Sequence, residues 1–138
     1  MTNDDLLAKL IDQLIDKAIY LGWEKTSSYT ASASTTHYKQ ARSIDNRPCE
    51  IPYQMYIELE QGTEAFYGHF YLYVLDENKN ILFQKDFERN NRHYAKVTEL
   101  HGRIQERIKK QENKKETNIL ESLIYSLETR KKSITSTI

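Results

Sequence analysis

The 138-residue chain predicts an α+β fold. Three patterns carry that prediction: an apolar stripe at three-and-four spacing near the N-terminus, alternating segments through the middle, and a return to helical period from Asn91 onward. A chain of this length accommodates one domain around a single core. The expected order is an N-terminal amphipathic helix, an antiparallel meander of three or four strands, and one long or two shorter C-terminal helices.

From Asn3 to Leu21, the residues Leu6, Leu7, Leu10, Ile11, Leu14, Ile15, Ala18 and Ile19 recur on one helical face, with Asn3 or Asp4 as N-cap and Gly22 as stop. So wide a stripe must cover something, and the following sheet is the evident partner. Trp23 to Pro48 is rich in Ser, Thr and Ala, with Tyr29, His37 and Tyr38 scattered through it. Lacking bulky alternation, it predicts a weak edge strand around Ser28 to Tyr38 or a solvated loop.

Better strands follow. Tyr53, Met55, Ile57 and Leu59 alternate with Gln54, Tyr56, Glu58 and Glu60, ending at Gln61-Gly62. Phe66 to Leu75 is predicted as the next strand, with Phe66, Gly68, Phe70, Leu72 and Val74 on one face and Tyr67, His69, Tyr71 and Tyr73 on the other. The polar turn Asp76-Glu77-Asn78-Lys79-Asn80 then leads into Ile81 to Phe87 as a hairpin.

Beyond Asn91 the stripe is Tyr94, Val97, Leu100, His101, Ile104 and Ile108, flanked by Lys96, Arg103, Arg107, Lys110 and Lys114. Glu99 with Arg103, and Glu106 with Lys110, have the spacing of stabilising intrahelical pairs. Apolar residues resume only at Ile119, Leu120, Leu123, Ile124 and Leu127. A single helix of roughly forty residues would run about 60 Å, carrying this patch away from the body as an oligomerisation segment, most simply a homodimer contact. Asn113 and Glu116 have capping-box spacing, which allows a break and a third helix folded back on the core. The penalty on unpaired apolar patches tips the expectation toward the break. Residues 113–138 are therefore a projecting or folded-back segment with a frayed tail from Lys131.

The formal net charge is zero, which argues against the uniformly basic footprint of a nonspecific nucleic-acid binder. Charge is nevertheless segregated. Residues 46–88 are predominantly acidic and the helix at 92–115 predominantly basic. The single cysteine, Cys49, has no intrachain disulfide partner, and the expected compartment is reducing and cytoplasmic. Interruption of the first apolar stripe by Lys9, Asp12, Asp16 and Lys17 fits neither a signal peptide nor a membrane span.

Phosphate-cradling glycine motifs, zincin spacing and C-x-x-C are absent from the sequence, so no cofactor and no metal is predicted. His93 and His101, eight residues apart, do not present two imidazoles to one ion and read as structural residues bordering the core. His69, with Tyr67, Tyr71 and Arg89 or Arg92, could instead mimic a metal-independent ribonuclease, although such enzymes are usually strongly basic.

The preferred expectation is a noncatalytic module that binds another protein, acting as an adaptor, inhibitor, immunity factor or chaperone. Tyr53, Tyr56, Tyr67, His69, Tyr71 and Tyr73 would anchor the partner, because tyrosine offers large contact area at small entropy cost. The alternative is single-stranded nucleic-acid binding, with bases stacked on the tyrosines and phosphates held by Lys96, Arg103, Arg107, Lys110 and Lys114. Glu58, Glu60 and Glu64 weigh against it, since they would repel the phosphate backbone.

Overall fold

The first helix starts where Thr2 can cap it. The Thr2 hydroxyl accepts the Asp5 backbone N–H at 3.1 Å, and the Asp5 carboxylate in return accepts the Thr2 backbone N–H at 3.1 Å. The computed structural model describes residues 1–63 and 68–137, with side chains described through residue 130. In it α1 (Asn3–Asp16) ends earlier than the apolar stripe suggested, and its cap lies one residue before Asn3. The chain then leaves the helix through a turn at Lys17–Tyr20 that keeps Ala18 fully buried.

Among the described residues five strands, rather than three or four, follow in an antiparallel meander: β1 (Glu24–Lys25), β2 (Thr30–Arg42), β3 (Pro48–Gln61), β4 (Phe70–Leu75) and β5 (Ile81–Phe87). The largest departure from expectation is β2. The Ser/Thr/Ala-rich stretch is a 13-residue strand paired with β3 from Thr30↔Glu60 to Arg42↔Pro48. Its inward residues near the core are Ala31 and Ala33, both buried in the cluster that the two helices share with the sheet. Beyond Thr35 the hairpin extends past its neighbours as a two-stranded ribbon, because β4 pairs only with Tyr56–Gln61 of β3.

The strand predicted to begin at Phe66 begins at Phe70, and Phe66 and Tyr67 lie outside the described residues. Gly68 precedes it with φ +90, a conformation that only glycine adopts without strain. The β4–β5 turn forms as expected. Asp76 accepts the backbone N–H groups of Asn78 and Asn80 at 2.9 and 2.8 Å, and Lys79 takes the left-handed conformation with φ 68.

The last element, α2 (Tyr94–Thr137), is one continuous 44-residue helix, about 66 Å long. The predicted break at Asn113–Glu116 does not occur, and no third helix folds back. Neither Gly nor Pro falls between Gly102 and Thr137 to interrupt the backbone ladder. Val97, Leu100, Ile104 and Ile108 enter the core, whereas residues 112–130 are all exposed.

Both helices cover the same sheet face. Leu7, Ile11, Leu14 and Ile15 of α1 and the four α2 residues form one core cluster with Ala31, Ala33, Ile57, Leu59, Phe70, Leu72 and Phe87, and Trp23 belongs to it. Asp4 pairs with Arg92 and His93 at the α2 start, and Asp12 pairs with Lys96 at 3.4 Å. Farther along, Ile19 faces Gly102 and Arg103, so the helices run side by side in one direction.

Candidate functional site

Burial of one sheet face leaves the other open. Strand register arranges that second face in cross-strand rows. Thr30, Glu60, Tyr71 and Asp86 form one row; Ser32, Glu58, Tyr73 and Gln84 form the next. Tyr71 therefore stands between two carboxylates, and Tyr73 stands between Glu58 and Gln84. Both phenol rings are half-buried, and among the described residues no helix lies over them.

Glu60 organises the centre of this face. One of its oxygens accepts the Thr30 hydroxyl at 3.3 Å, and the other accepts the Tyr73 hydroxyl at 3.5 Å. Partial burial pushes the Tyr73 phenol pKa up, and the nearby Glu60 and Asp86 charges push it the same way. Tyr73 is thus held as a hydrogen-bond donor throughout the physiological range. Glu60 and Tyr71 also line a cavity of about 280 Å³, together with Ser27, Tyr29, Gln61, Gly62 and Thr63.

The anchors expected from sequence do not form one cluster. Tyr56 shares the open face, but the Lys79 ammonium caps its ring at 3.2 Å from the centroid. Tyr53 belongs to the opposite face of the ribbon, where it meets His37 at 5.6 Å between ring centroids and Lys39 at 5.4 Å. Tyr67 and Glu64 lie outside the described residues. His69 sits just before β4, its carbonyl accepting the Gly62 N–H at 2.8 Å. Tyr71 and Tyr73 remain as the paired platform. Asp86 and the Lys79 cap were missed from sequence, yet the hairpin register fixed by the Asp76–Asn80 turn places both.

The basic helix residues are likewise divided. Lys96 is paired with Asp12, and Arg103 lies 3.5 Å from Glu99. Arg103, Arg107 and Lys110 line a broad hollow with Ile19, Glu99 and Glu106, while Lys114 is farther along on the exposed stretch. This group occupies the helical layer, on the other side of the sheet from Tyr71 and Tyr73. No tyrosine–cation surface therefore spans the two.

The helix histidines serve the fold. His93 is buried, its Nε2 2.7 Å from an Asp4 oxygen and its ring edge-on to Phe87. The Asp4 carboxyl pKa is lowered chiefly by that hydrogen bond. Arg92, one of the arginines considered beside His69, is also engaged by Asp4, whereas the Arg89 guanidinium lies against Gly68.

His101 packs against Phe70 at 5.1 Å, and burial lowers its pKa from the ordinary 6.5. The unfolded chain then takes up the proton first. His101 consequently favours folding fully above about pH 6.5, and this contribution is lost as pH falls through the lowered value. Replacing His101 with Leu is expected to flatten the decline of the urea midpoint between about pH 7 and pH 5 relative to the parent chain. An unchanged slope would remove His101 as its source.

Among the described residues no three His, Cys, Asp or Glu side chains gather as a metal site, and no helix is long and apolar enough to cross a membrane. No protein-family model matches the chain, and comparison with curated proteins and with solved structures gives no match either.

Proposed function

We propose that the chain is a small noncatalytic protein-binding module whose open sheet face receives a basic segment of its partner. The observation carrying this reading is the alternation of Tyr71 and Tyr73 with Glu58, Glu60 and Asp86 on a face that neither helix covers. Phenol rings attract cations through their faces, and flanking carboxylates favour the same charge. The Lys79 ammonium over Tyr56 is an intramolecular instance on this face. An adaptor, inhibitor, immunity factor or chaperone would use such a surface, and a reducing cytoplasmic setting suits the lone, partly buried Cys49 thiol.

Single-stranded nucleic acid is the second reading. Arg103, Arg107 and Lys110 support it by converging on one hollow. The carboxylates around the tyrosines oppose it, and so does the separation of the two groups by the sheet. A ribonuclease reading has less support still, with Arg92 engaged by Asp4.

The test is a titration with Lys/Arg-containing and Asp/Glu-containing peptides, followed by nuclear magnetic resonance shifts, alongside a short single-stranded oligonucleotide at low and moderate salt. Basic peptides are expected to shift the amides of β3, β4 and β5, and the double variant Tyr71→Ser/Tyr73→Ser should lose at least tenfold in affinity with its circular dichroism unchanged. Salt-sensitive oligonucleotide binding on α2 with no peptide response would transfer the proposal to nucleic acid.

A further inference from the structure

Among the described residues two apolar surfaces lack a partner, and their residues run in matching order. The first is the outer flank of α1. Asn3, Leu6, Leu10, Gln13 and Lys17 form one row at three-and-four spacing, turned away from α2. This row borders two adjoining cavities of about 400 and 470 Å³, both lined by Met55 and Val74 of the sheet, with Phe83 at one rim. Leu6 is 50% exposed and Phe83 40% exposed. Two helices cover this sheet face, and the cleft leaves room for a third.

The second surface is the distal part of α2. Glu116, Leu120, Leu123, Leu127 and Arg130 form a row at four-and-three spacing, and its three leucines are each more than half exposed. The two rows read as reversals of one another. Laid antiparallel, Glu116 faces Lys17, Leu120 faces Gln13, Leu123 faces Leu10, Leu127 faces Leu6, and Arg130 reaches Asn3 beside the acidic turn of Asp4 and Asp5. Each row spans about 21 Å of helix axis. The apolar centre of one meets that of the other, and the charged ends are complementary.

One molecule cannot make this contact with itself. Its α2 is unbroken, runs in the same direction as α1, packs on the opposite flank of α1, and carries the leucine row away from the body. We infer that a second copy supplies the occupant: the distal α2 of each protomer docks antiparallel beside α1 of the other as the third helix of its layer. The exchange closes under a two-fold axis. The two α2 helices then run antiparallel about 20 Å apart, with an α1 between them at the level of each body. A single row would form a small contact, and reciprocity doubles it toward the ~1,200–2,000 Å² of a stable interface.

Sedimentation equilibrium of the full chain tests this, with a dimer expected at about 100 μM. Leu123→Glu/Leu127→Glu in the helix and Leu6→Glu/Phe83→Glu in the cleft alter exposed side chains, and each double variant is expected to be a folded monomer by circular dichroism. Lys17→Glu should weaken the dimer at least fivefold, and adding Glu116→Lys to the same chain should restore it. That charge exchange decides the matter if either double variant fails to fold.

A monomeric parent chain at that concentration overturns the inference. So does a cleft variant that stays dimeric while the helix variant dissociates, which would place the contact between two α2 helices.

Discussion

Trp23→Ala is expected to lower the unfolding free energy by about 3–5 kcal/mol, a large share of the roughly 5–15 kcal/mol that holds a domain of this kind together. The indole is fully buried in the core cluster and is among its largest side chains. Truncation removes its apolar area from the core and leaves a cavity that surrounding backbone cannot close. Trp23→Phe should be much milder, at about 1–2 kcal/mol, because Trp23 Nε1 is buried without a hydrogen-bond partner and the phenyl ring removes that unsatisfied donor while keeping most of the volume. Urea unfolding followed by far-ultraviolet circular dichroism measures both. Equal losses for the two variants would show that the volume kept by the phenyl ring does not govern the site.

Ala33→Leu is the second change expected to weigh heavily, through crowding rather than a void. Ala33 is 2% exposed and lies opposite Ile57 where β2 passes beneath the helices. Three additional heavy atoms must force the helical layer away or push side chains off their rotamers, a cost of about 1–3 kcal/mol. Its neighbour Ser34 points to the open face and is exposed, so Ser34→Leu should change stability by no more than about 0.5 kcal/mol. The contrast between adjacent positions is the measurement. Similar thermal midpoints for both variants would contradict the assignment of β2 faces.

These alanines also explain what the sequence concealed. Strand periodicity is normally recognised by large apolar residues at every second position, and in β2 those positions hold Ala31, Ala33, Thr35 and His37. The alternation is present, but the side chains are too small or too polar to announce it: alanines hold the buried positions, and the sheet then continues as a ribbon beyond the core. By contrast, α1, β3, β5 and the start of α2 carry bulky periodic residues, and all were legible. The C-terminal helix was readable in period but not in continuity. A capping-box spacing at Asn113 and Glu116 has no force where neither Gly nor Pro weakens the helical ladder.

At the candidate site, alternation alone put Tyr71 and Tyr73 on a common face. The same alternation puts Tyr53 and Tyr56 on opposite sides of β3, so the two cannot anchor one surface together. It could not reveal that Lys79 would cover Tyr56, since that depends on the left-handed turn residue directing the chain back over β3.

The protruding β2–β3 arm has a further consequence, for self-association through its backbone. Past Tyr56 both margins of the arm leave main-chain donors and acceptors without neighbouring strands, the geometry on which fibrils grow. Pro48 and Pro52 withhold two of those donors, and Lys39, Arg42, Arg47 and Glu50 would bring like charges together in any parallel in-register stack. The finger therefore carries its own gatekeepers, and stripping them away would invite polymerisation at a place the core does nothing to protect.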